Sequence, residues 1–169
     1  MALSFLTSTD ITVEIVVTCD PMVTFTPEQR AKYLLTGKLE DLGGVDGATR
    51  FTLKALGPSE REAAEVRAGA YTRSELGRLL WVEAPDETRE RAKWHHELSE
   101  DEREAMADYQ SYLNRVYIEM VSASLQAIDD EPATIDQIQL IRPDDHRVQT
   151  ISELVTHVQR LSLLGEEGK

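Results

Sequence analysis

A mainly α domain organised around one long central helix, with a small two-stranded antiparallel sheet near the N-terminus, is the fold this sequence predicts. Three observations lead there. Met106, Tyr109, Leu113, Val116, Tyr117, Met120, Val121, Leu125 and Ile128 recur at helical spacing between Ser99 and Ile128. A second stripe of Ile151, Leu154, Val155, Val158, Leu161 and Leu164 repeats that spacing towards the C-terminus. Apolar and polar residues alternate over 11–18 and again over 50–55, the period of a half-buried strand.

The first strand places Ile11, Val13, Ile15 and Val17 on one face, and Asp20-Pro21 stops it because proline supplies no ladder donor. Thr26-Pro27-Glu28-Gln29 combines an N-cap hydroxyl, proline at the first helical position and Gln at the capping-box position. A short helix follows to Leu35 before Gly37, with Ala31, Tyr33, Leu34 and Leu35 on its apolar side. The Gly-rich, acidic stretch 37–48 reads as a loop. Phe51 and Leu53 give the second strand its inner face, and it pairs with the first.

Ser59 and Glu62 form another capping box, which predicts helix from Ser59 to Leu80 with a weak point at Gly69. Val66, Leu76, Leu79, Leu80 and Trp81 are its expected inward residues. Residues 84–98 are highly charged and read as a solvated helix or linker. The central helix opens on a Ser99/Glu102 capping box and runs to Ile128, roughly 45 Å, until Asp129-Asp130-Glu131-Pro132 ends it. Residues 134–141 form a short apolar element, read as helix, and Thr150 with Glu153 opens a last helix that Gly165 ends. All of this fits one domain over 1–169: a strand-helix-strand region at 11–56, a helical region at 59–128 and C-terminal helices at 134–165.

Composition narrows the function classes. The 169 residues carry 31 acidic and 18 basic side chains, a formal charge of −13. That balance opposes unaided binding to nucleic acid or anionic membranes, both of which require basic patches. No apolar run approaches the ~18 residues of a membrane span, and Met1–Leu6 lacks the basic start and length of a signal peptide. With its single cysteine, Cys19, the chain is expected in a reducing cytoplasm.

Catalytic and metal patterns are thin. His95 and His96 are adjacent, so they point to different helix faces, whereas helical metal pairs converge at a separation of about four residues. Asp144-Asp145-His146 lacks a positioned nucleophile, and Cys19 has an acid, Asp20, as its neighbour. Gly43-Gly44-Val45-Asp46-Gly47 lacks the Gly-Lys-Ser/Thr ending of a phosphate loop. The expectation is therefore no enzyme, no cofactor and no metal, with a metal protein or enzyme around His95, His96, Asp144 and His146 as the contrary reading. The aromatic and thioether side chains Met106, Tyr109, Tyr112, Tyr117 and Met120 suit plain core packing and also adaptable apolar recognition, one face of the helix buried and its flank available, with Leu154, Val158 and Leu161 as a further stripe. Tyr112 is expected to face solvent.

One ordered set of segments goes further. Thr49-Arg50-Phe51-Thr52-Leu53-Lys54-Ala55-Leu56 leads directly into the capped acidic helix start Ser59-Glu60-Arg61-Glu62, and the long central helix ends in Ile128-Asp129-Asp130. The closing helix runs from Ile151-Ser152-Glu153-Leu154 to Leu161-Ser162-Leu163-Leu164-Gly165-Glu166-Glu167. In this order the segments resemble the tail assembly chaperones of long-tailed bacteriophages, over about half the chain. The resemblance implies a small, acidic, mostly helical protein that binds the long apolar tape-measure protein and keeps it soluble while tube subunits polymerise around it. It implies no catalysis. The N-terminal strand and the Gly-rich loop are less expected in that family and point to the alternative of a structural virion, head–tail or tail accessory subunit. Self-association is compatible with either role.

Overall fold

The computed structural model describes residues 11–69 and 75–164. The chain divides into two compact units, one of residues 1–64 with 117–169 and the other of residues 65–116. In the first lie β1 (Thr12–Ile15), α1 (Pro27–Thr36), β2 (Phe51–Lys54), most of α2 (Pro58–Ala68), the end of α5 (Glu100–Ser124), β3 (Leu125–Ile128), β4 (Glu131–Pro132), α6 (Ile135–Gln139) and α7 (Asp144–Leu164). The second holds the end of α2, then α3 (Glu75–Glu83), α4 (Thr88–Glu97) and the start of α5. The mainly α expectation holds, but the antiparallel sheet has four strands in the order β1-β2-β3-β4.

Of the two added strands, β3 comes from residues assigned to the end of the central helix and β4 from the Asp129–Pro132 run read as its terminator. That helix stops at Ser124, whose hydroxyl donates to the Lys54 carbonyl at 2.6 Å. From there Leu125–Ile128 pairs with β2, and sheet pairing prevails over the helical spacing of Leu125 and Ile128. Asp129-Asp130 forms the two-residue hairpin loop between β3 and β4, with both residues at positive φ (49° and 64°). This is the backbone of a type I′ turn, which aspartate tolerates better than most residues. Asp129 is fixed further by its N–H to the Arg50 carbonyl and by its carboxylate, which accepts from the Arg50 N–H, both at 2.8 Å.

β1 and β2 pair with Ile15 opposite Phe51 and Val13 opposite Leu53. Phe51 and Leu53 are buried on the inner face, as their alternation predicts. Beyond β1 the chain does not alternate, because Val16 and Val17 are both buried. Tyr33 causes this. Its hydroxyl accepts from the Val16 N–H at 3.0 Å and donates to the Val16 carbonyl at 2.7 Å, so one side chain closes the strand edge.

α1 opens on the Thr26/Gln29 capping box and ends on Gly37 in the left-handed region at φ 67°, as the sequence predicts. A Cβ at Gly37 would collide with the Arg160 guanidinium. On this helix Tyr33 is buried, while Leu35, expected on the apolar side, is exposed. The 37–48 stretch is a packed connection. Leu42 and Ala48 enter one cluster with Val16, Val23 and Tyr33, and Leu39 and Val45 lie against it.

α6 forms as expected, with the Gln137 side chain accepting from the Thr134 N–H at 2.6 Å. α7 begins six residues before the predicted cap, at Asp144. Thr150 and Glu153 are therefore mid-helix residues, and Glu153 serves a distant partner described below. Gly165 and the acidic tail lie outside the described residues. Leu154, Val155, Val158 and Leu161 are buried, and Ser162 ties the helix to the end of β2 by accepting from the Leu56 N–H at 3.3 Å.

In the second unit, α5 opens on the predicted capping box, with the Ser99 N–H donating to Glu102 at 2.8 Å and the Glu102 N–H donating to Ser99 at 3.3 Å. The predicted Ser59/Glu62 start of α2 is displaced, since the helix opens at Pro58 and Glu60 accepts from the Gly57 N–H at 2.9 Å. Gly69, at φ 87°, terminates α2 where the weak point was expected. The region 84–98 contains α4, which buries none of its side chains. Leu80, Ala84 and Met106 are buried; Trp81 and Tyr109 meet edge-on at 6.3 Å, and Tyr109 lies 6.1 Å from Tyr112. Arg115 donates to the Ala68 carbonyl at 3.0 Å.

Candidate protein-binding surface

The residues singled out for chemistry are mostly engaged elsewhere. Asp144 pairs with Arg147 at 3.2 Å and with Arg142 at 3.7 Å. His95 and His96 lie exposed on α4. Gly43 and Gly44 both direct their N–H groups at the Thr24 carbonyl, so that loop closes on its own backbone. His146, Cys19 and Asp20 do share the lining of a cavity of about 430 Å³ in the first unit, floored by Val17, Phe51 and Ile138. The Asp20 carboxylate there is occupied, accepting from the Met22 and Thr49 N–H groups at 2.9 Å each. Burial pushes the Cys19 thiol above its ordinary value, which disfavours the reactive thiolate. Among the described residues no three histidine, cysteine or carboxylate side chains are grouped to hold a metal ion.

Sequence reasoning missed a buried polar row on α7. Glu153 accepts from the Thr18 N–H and the Thr18 hydroxyl, both at 2.9 Å, and that hydroxyl in turn accepts from Arg30 at 2.8 Å. Burial raises the Glu153 pKa, partly offset by the Thr18 hydrogen bonds. One turn on, His157 is 0% exposed, 5.0 Å from the Tyr33 ring, and neither ring nitrogen has a hydrogen-bond partner among the described residues. Burial, assisted by the neighbouring Arg160 cation, pushes its pKa down to about 4. The Tyr33 phenol is pushed up to about 12, again chiefly by burial. The available signal was the four-residue step from Glu153 to His157 inside an apolar stripe, which puts both in the buried face. The row is internal, and it holds β1, α1 and α7 in register.

The predicted partner-binding residues separate into two groups. Met106, Met120, Leu154, Val158 and Leu161 are buried, so the C-terminal stripe is core and presents no surface. Tyr109, Tyr112 and Tyr117 are half-buried, and Tyr112 does not face solvent freely because its ring lies against Tyr109. Of the exposed apolar side chains, which include Leu35, Leu140 and Val148 elsewhere, three lie together on α3. Gly77 and Leu80 are its buried residues, whereas Leu76, Leu79 and Val82 are 38%, 48% and 74% exposed. At three-residue steps they form one line along the helix, which starts at Leu76 beside buried Leu80 and turns outward through Leu79 to Val82. Leu76 and Leu79 were expected to point inward, as was Val66, which is also exposed on α2. The reason is that the apolar residues of α3 are spread around more of the helix than its buried Gly77–Leu80 side, with Glu75 and Arg78 paired between them.

Among the described residues no helix is long and apolar enough to cross a membrane. No family model matches the chain, and neither a curated protein nor a solved structure matches it.

Proposed function

We propose that this chain is a tail-assembly-chaperone-like protein without catalytic activity, which holds an apolar helix of the tape-measure protein during phage tail assembly. The observation that carries the reading is the exposed Leu76–Leu79–Val82 line on α3 of a chain with a formal charge of −13. High like charge keeps copies of the chain apart, while the apolar line offers contact to a client. Completing the burial of three such side chains yields roughly 3–5 kcal/mol before association costs. That magnitude suits a client that is held and then released as tube subunits displace the chaperone.

Co-expression with the large, helical, apolar tail protein tests this. The client stays soluble and co-purifies with the parent chain, and Leu79→Asp/Val82→Asp sends it to the insoluble fraction. Because both positions are open to solvent, the double variant keeps its own folding stability within about 1 kcal/mol of the parent, as read by denaturant unfolding. A client that is equally insoluble with and without the chain refutes the proposal.

A further inference from the structure

A groove of about 450 Å³ in the second unit runs between α4 and α5, with Trp81 and Met106 as its apolar floor. Its charged lining is of one sign. Arg91 and Arg103 supply it, the imidazoles of His95 and His96 complete the polar lining, and no carboxylate lines the groove, in a chain where acids outnumber bases 31 to 18. Arg91 is held in place, donating through Nε to the Pro85 carbonyl at 2.8 Å with its guanidinium 5.8 Å from the Trp81 ring centre. Among the described residues neither Arg91 nor Arg103 forms an ion pair. A cation left without a carboxylate in so acidic a protein, and oriented by a carbonyl and an indole, has donors to offer a ligand.

We infer that this groove binds an acidic segment of a partner protein: an apolar or aromatic side chain against Trp81 and Met106, with flanking carboxylates on Arg91 and Arg103. Charge complementarity selects this occupant. The inference is independent of the α3 line and of the chaperone reading.

Fluorescence anisotropy of two labelled short peptides decides it. One carries a phenylalanine between pairs of glutamates, and its counterpart has lysine at every glutamate. The parent chain binds the acidic peptide and not the basic one, and binding weakens as salt is raised. Arg103→Glu, at an exposed position, weakens binding about tenfold with the helical circular dichroism unchanged. Arg91→Gln weakens it as well, while Leu79→Asp leaves it at the parent value. Absence of binding by the parent, equal binding of the two peptides, or an Arg103→Glu chain that binds like the parent overturns the inference.

Discussion

Replacing Glu153 by alanine removes roughly 3 kcal/mol of folding stability, because it leaves buried donors without an acceptor. The carboxylate takes both the N–H and the hydroxyl of Thr18, a residue that is itself buried. Thr18 and Glu153 are both buried, so the two donors have little access to water when the carboxylate is gone. Glu153→Gln retains an acceptor for the N–H and presents an amide to the hydroxyl, so it costs about 1 kcal/mol, the worth of one ordinary hydrogen bond. Denaturant unfolding of the two variants beside the parent gives the comparison. An alanine variant as stable as the parent means that the carboxylate is not holding Thr18.

Acid weakens the parent through His157, and His157→Leu removes that weakness. The ring has an ordinary pKa of 6.5 and is held down to about 4 in the folded chain. The unfolded chain therefore takes up a proton that the folded chain refuses. Stability from the neutral buried ring is complete above 6.5 and is lost as pH falls from 6.5 towards 4, with no further loss below. That interval corresponds to roughly 3 kcal/mol. Arg160 and Tyr33 face the ring, and Glu153 lies one turn before it. Glu153 acts in the opposite sense. Its raised pKa means that protonation relieves a buried charge, so its contribution grows more favourable as pH falls. Melting curves in the Glu153→Gln background isolate the histidine. There His157→Leu, a near-isosteric apolar exchange, stays within about 1.5 kcal/mol of its reference at pH 7.5 and is clearly more stable than it at pH 4.5. Parallel curves for the two chains across this interval contradict the assignment.

Elements whose signals are local were legible in the sequence. The boxes at Thr26/Gln29 and Ser99/Glu102, the Gly37 cap and the Phe51–Leu53 alternation each need only neighbours a few residues away, and each forms as read. Thr150 and Glu153 had the same spacing but another use, since Glu153 bonds to a residue 135 positions earlier. No local pattern encodes that choice. Leu125–Ile128 failed for the same reason, because pairing with β2 overrides a helical period. The surface was hardest to read. An apolar stripe looks alike whether another element covers it or not, so Leu154, Val158 and Leu161 passed for contact surface while Leu76 and Leu79 passed for core.

The central claim is that α3 is where a client helix docks, and amide hydrogen exchange of the chain with and without bound client tests it most directly. A short helix exposed on one side opens readily, so its amides report docking sensitively. The account predicts slowed exchange over Glu75–Glu83 on client binding, with β2 and α7 unchanged. Slowed exchange confined to α1 and α7, with Glu75–Glu83 unaffected, would contradict it.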